Sequence, residues 1–103
     1  MKIKTEYNIY IGLKESNMIK DISMQRALKS INGHFSEHGI TGFNIQKIKG
    51  FWESKGEQSV LINFINTFGI QRRAIYKAIE SIKKDLRQDA ILIKENPIKH
   101  EFV

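Results

Sequence analysis

The sequence predicts an α+β fold, a ferredoxin-like split βαβ sandwich (βαββαβ) with a four-stranded antiparallel sheet and two helices on one face. Three observations carry that prediction. Apolar and polar residues alternate over about residues 5–13 and again from Ser59 to Phe64. Apolar residues recur at helical spacing over about 21–38 and 70–87. Glycine-bearing breaks between these segments then set the order strand, helix, strand, strand, helix, strand.

The first strand places Tyr7, Ile9, Ile11 and Leu13 on one side and Asn8, Tyr10 and Gly12 on the other, a half-buried pattern. Ser16-Asn17 breaks it. Met24, Ala27, Leu28, Ile31 and Phe35 then mark a helix, with Asp21 or Ser23 as its cap and Gly33 weakening its end. Gly39 can take the left-handed conformation that stops a helix, and Phe43, Ile45 and Ile48 open an extended segment. Lys55-Gly56-Glu57 reads as a turn, after which Val60, Ile62 and Phe64 alternate with Ser59, Leu61 and Asn63, so the second and third strands form a hairpin. Ala74, Ile75, Ala78, Ile79, Ile82 and Leu86 form the clearest amphipathic helix, basic on its opposite face. Residues 90–93 give a short fourth strand, and Pro97 punctuates a tail ending in Phe102-Val103.

At 103 residues the chain is expected to be one domain over 1–103 with a modest core. Apolar residues at 41% and charged residues at 27% are those of a folded globular chain and argue against disorder. No apolar run approaches the roughly 20 residues that span a bilayer, and the first residues lack a secretory core, so a cytoplasmic location without membrane contact is expected. The absence of cysteine excludes disulfides, thiolate metal sites and cysteine nucleophiles. His34 and His38 are spaced i, i+4 on the first helix but lack a metal-binding context, and no metal or cofactor is expected. The net charge of +6 makes this basic protein attractive to phosphates on nucleotides, nucleic acid or acidic partners.

Two places concentrate that charge usefully. Around the hairpin, Lys49, Gly50, Lys55 and Gly56 combine cations with backbone that could cradle a phosphate, and Trp52 adds aromatic surface suited to stacking a base. The plainer alternative is a hairpin whose edge lysines discourage aggregation and whose tryptophan packs. Arg72 and Arg73 fall in the first turn of the second helix, where an anion would meet both side chains and the positive helix end. No catalytic residues are assigned: paired carboxylates in a motif, a nucleophile elbow and a metal cluster are all missing, and an enzyme is the less expected outcome.

The run Gly39-Ile40-Thr41-Gly42-Phe43-Asn44-Ile45-Gln46-Lys47-Ile48-Lys49-Gly50-Phe51, continued to Lys55-Gly56, resembles the second strand and loop base of PII-type signalling proteins. These are small ferredoxin-like subunits that form trimers and bind adenine nucleotides between subunits. In the family the base of this loop contacts nucleotide phosphates and a 2-oxo acid; Gly50, Phe51, Lys55 and Gly56 match its motif, and the resemblance implies the lysine as a phosphate contact. It is local to about residues 39–56. Trp52 and Ser54 stand where the family has a glycine and a glutamine, its long loop is cut to a tight turn, and Arg87-Gln88-Asp89-Ala90 replaces its glycine-rich segment.

The function expected is therefore a non-catalytic, oligomeric binding protein for a small phosphorylated ligand, a nucleotide, held near subunit interfaces of a dimer or trimer. It would act as a sensor or as a sequestering protein of a phage or mobile element. Leu61 and Ile65, opposite Val60, Ile62 and Phe64, predict that the uncovered sheet face is buried by subunit packing. The alternative is an interaction protein that binds nucleic acid or a host protein through the open sheet face or the basic second helix.

Overall fold

The computed structural model describes residues 2–15, 20–52 and 55–103, and the side chains of these except at 2, 51, 52, 55 and 56. Its elements are β1 (Lys2–Gly12), α1 (Met24–Glu37), β2 (Asn44–Trp52), β3 (Lys55–Ile65), α2 (Arg72–Asp85) and β4 (Leu92–His100). All pairings are antiparallel, in the order β2-β3-β1-β4, so this is the ferredoxin-like βαββαβ fold. The predicted break at Ser16-Asn17 lies outside the described residues.

Period-two patterning explains the sheet. Tyr7, Ile9 and Ile11 stand opposite Phe64, Ile62 and Val60, and all six are buried beneath the helices. The helices answer with Ala27, Ile31 and Phe35 from α1 and Ile75, Ala78, Ile79 and Ile82 from α2. Tyr7 stacks on Phe64 with ring centroids 5.2 Å apart, and Phe35 meets Phe64 edge-on at 5.7 Å. Each fully buried isoleucine contributes about 1.5–3 kcal/mol, and seven among the described residues are fully inside, so the fold rests on this one layer.

Helix ends follow from local chemistry. Ser23, not Asp21, caps α1, accepting from the Arg26 N–H at 3.1 Å. Gly39 has φ of +81° and closes α1 with the bonds Gly39 N to Ser36 O and Ile40 N to Phe35 O, a complete Schellman motif. The same pair of bonds ends α2, from Arg87 N to Lys84 O and Gln88 N to Lys83 O, but the left-handed residue there is Arg87 at φ of +52°. Without a glycine to mark it, the sequence reading ran that helix on to residue 87.

Three strand readings are corrected. β1 ends at Gly12, and Leu13 is buried just beyond it. Lys55 and Gly56 belong to β3 instead of a turn, because the ladder continues through Phe51 opposite Gly56 and Trp52 opposite Lys55. The connection is left to residues 53 and 54, which lie outside the described residues. β4 is not a short strand over 90–93 but nine residues, and it passes through Pro97, which faces Thr5. β4 is an edge strand, where a proline's missing N–H leaves no inner ladder bond unmade.

Candidate functional site

The ladders are staggered, and this stagger decides which predicted site residues can meet. β1 pairs β3 only from Glu6 to Gly12, whereas β2 and β3 stay paired out to Trp52 and Lys55. The hairpin therefore overhangs as a two-stranded arm. At the diagonal corner, Lys2–Thr5 of β1 pair only with β4. Lys49, Gly50, Trp52, Lys55 and Gly56 all lie on the arm. Arg72 and Arg73 begin α2, beyond the other end of β3, which is 11 residues long. Arg72 is tied to Glu95, which faces Tyr7 and through it Phe64, so at about 3.3 Å per residue the strand separates it from the Lys49 position by about 20 Å and from the Lys55 position by about 30 Å. Gly50 faces Glu57 and Gly56 faces Phe51 inside the ladder. The side chains of Trp52 and Lys55 lie outside the described residues.

Arg72 is the centre of a polar cluster that sequence reasoning missed. Its guanidinium donates Nε to Glu95 Oε1 at 2.8 Å and Nη2 to Glu95 Oε2 at 3.2 Å, and lies over the Tyr76 ring at 4.2 Å. Nη2 also reaches the Tyr76 hydroxyl at 3.1 Å. The Tyr7 and Tyr76 phenols interact electrostatically with the same Glu95 carboxylate. The Arg72 bonds, with help from both phenols, hold the Glu95 carboxyl below its usual range. Burial, and then the Glu95 carboxylate, push Tyr7 up to about 12. A cavity of about 390 Å³ opens beside this cluster, lined by Thr5, Tyr7, Asn66, Arg72, Glu95 and Pro97. Arg73 is exposed, and its side chain has no hydrogen-bond partner among the described residues. Glu95 escaped notice because residues 94–100 read as a tail, in which a lone glutamate carries no signal.

The uncovered sheet face is mixed. Tyr10, Leu61 and Ile65 are half-buried on it and Leu92 is exposed, with Lys94 over the Tyr10 ring at 5.2 Å. At its centre the Asn63 amide donates to Glu6 Oε2 at 3.1 Å and to Asn8 Oδ1 at 2.9 Å. A groove of about 360 Å³ runs along Asn8, Asn44, Ile45, Gln46, Leu61 and Asn63.

A third polar set joins the helices. Ser30 donates to Asp85 Oδ2 at 2.6 Å, His34 Nε2 lies 3.3 Å from the same oxygen, and Arg26 pairs with the buried Glu15 at 2.7 Å. His38 Nδ1 turns to the His34 carbonyl at 3.0 Å, so the two histidines do not converge. Among the described residues no three His, Asp or Glu side chains are placed to hold a metal, and no helix is long and apolar enough to cross a membrane.

No protein-family model and no curated protein matches the chain. Solved structures do. A phage SAM lyase in its apo state is 16% identical over 98% of this chain and 93% of that chain, with a TM-score of 0.62, and a phage SAM lyase in complex with S-methyl-5'-thioadenosine is 15% identical, at 0.60. PII of Arabidopsis thaliana bound to citrate is 15% identical over 92% of this chain and 78% of that one, with a TM-score of 0.56. CPII, a nitrogen regulatory PII-like protein from Thiomonas intermedia K12 bound to ADP, AMP and bicarbonate, is 8% identical over 98% of both chains, at 0.55. At such identities the likeness is one of fold, and the fold is the PII-like ferredoxin type.

Proposed function

We propose that the protein is a non-catalytic oligomeric binding protein for a small phosphorylated ligand, a nucleotide, held in clefts between copies. The observation that carries this reading is the placement of the two basic groups towards opposite ends of β3. Two basic clusters held apart in this way within one chain can share a ligand across a subunit boundary. Lys49, Gly50, Trp52, Lys55 and Gly56 of one copy then face Arg73, with Arg72 beside it, of another. The half-buried Leu61, Ile65 and Tyr10 on the uncovered face give a second copy apolar surface to cover, and an overhanging two-stranded arm is marginal until something packs on it. Small molecules bound to proteins of this fold, ADP and AMP among them, support the class of ligand.

Calorimetric titration with a panel of nucleotides at two protein concentrations tests it. The expected result is saturable binding by at least one nucleotide, lost in Lys55→Ala with oligomer mass unchanged. Absence of binding across the panel by a protein of oligomeric mass rejects the ligand reading. One observation favours a second reading: Tyr10 under Lys94 beside the amide-lined groove is a surface on which a nucleic acid base could stack. Affinity for unrelated RNA or DNA that falls steeply with salt would select it.

A further inference from the structure

We infer that the cavity beside Arg72 and Glu95 is a second ligand site, one that takes the zwitterionic end of a free amino acid with an aliphatic side chain. The inference shares Arg72 with the nucleotide reading but does not rest on it. Arg72 and Glu95 present opposite charges side by side at the cavity wall, bonded to each other at 2.8 and 3.2 Å in a fork-to-carboxylate pair. An α-carboxylate fits the Arg72 fork as Glu95 does, and an α-ammonium beside it fits Glu95. A zwitterion entering between them replaces one ion pair with two. The displaced pair is open to solvent on the Arg72 side, where that side chain is 66% exposed against 27% for Glu95, so water weakens its hold.

The surroundings support the exchange. The Tyr7 and Tyr76 phenols stay beside Glu95 when Arg72 moves and favour its charged form. The Tyr76 ring, which already carries the guanidinium at 4.2 Å, can carry an ammonium in its place. Thr5 and Pro97, paired across the β1–β4 ladder, form the far wall. Ile3, two residues before Thr5 on the same sheet face, is 67% exposed, which is unusual for an isoleucine in a paired strand. An aliphatic ligand side chain lying along Pro97 towards Ile3 would cover it.

The test uses the full-length protein, L-leucine as probe, and two controls that each lack one charge, 4-methylpentanoate and 3-methylbutylamine. Tyr7 and Tyr76 ring signals in the NMR spectrum, together with calorimetry, report binding. L-leucine should shift both rings and saturate at millimolar concentration or below, with each control at least tenfold weaker. Glu95→Gln and Arg72→Gln should each weaken L-leucine at least tenfold while the spectrum remains that of a folded protein. Arg72→Lys, which keeps the charge and loses the fork, should fall between. No ring shift with about 10 mM L-leucine, or equal affinity for the three probes, overturns the site. A lowered melting temperature in Arg72→Gln without L-leucine binding in the parent protein makes the pair a clamp between α2 and β4 and likewise overturns it. Lys55→Ala keeps the two questions separate, since it should lose nucleotide binding and retain L-leucine binding.

Discussion

Gly12 faces Ser59 at the last pair of the β1–β3 ladder, Leu13 N donates once more to Gln58 O at 2.9 Å, and past it β2 and β3 continue together without β1. The arm they form shares the sheet's half-buried outer face with Leu61, which lies opposite Tyr10. If copies pack there, Leu61→Lys puts a charge into the interface while leaving the helix-side core untouched. Sedimentation should show the mass falling to that of one subunit, with the isolated subunit's stability changed by less than about 0.5 kcal/mol. A parent protein that is already monomeric at micromolar concentration, with no mass change in the variant, refutes the packing.

The two helix stops make an internal control. Gly39 and Arg87 occupy the same left-handed position after their helices, but only Gly39 lacks a β-carbon. Gly39→Ala should cost about 1–2 kcal/mol, the penalty of a β-carbon in that conformation, whereas Arg87→Ala adds no such strain and should stay within about 0.5 kcal/mol. Urea denaturation of both variants measures the difference.

Acid and alkali should act through separate groups. Arg26 holds Glu15 below the usual carboxylate range, Ser30 does so for Asp85, and Arg72 for Glu95. A folded-state value below the unfolded one means stability is complete above the unfolded range of about 4 and is lost as pH falls through the lower folded values. Arg26→Gln should therefore lower stability at neutral pH and flatten its decline in acid. Tyr7 runs the other way: raised to about 12 from about 10, it contributes stability that is complete below pH about 10 and is lost as pH rises through about 12. Thermal denaturation across this range, with Tyr7→Phe reducing the alkaline loss, checks the sign.

The fold was legible where one physical signal dominated. Alternation in β1 and β3 and the 3.6-residue period of both helices survive in the core because each face is buried against something apolar. Gly39 announced its stop because its φ requires a glycine, whereas Arg87 takes the same conformation without any compositional mark. β4 was shortened because Pro97 reads as a breaker until the strand is known to lie at an edge, which only the topology decides. The candidate site was legible residue by residue but not in its distances. Nothing in the spacing of Lys55 and Arg72 says that a straight strand holds them apart, and the partnership of Arg72 with Glu95 spans 23 residues that include all of α2.

Native mass spectrometry of the purified protein, sprayed with and without a nucleotide panel, tests the central claim most directly because it reads subunit count and bound ligand together. The account predicts a dimer or trimer that retains nucleotide, with Arg73→Gln and Lys55→Ala each reducing occupancy about tenfold or more at unchanged subunit count, as expected for loss of a charge-assisted bond. A monomer that retains no nucleotide at micromolar protein would contradict it.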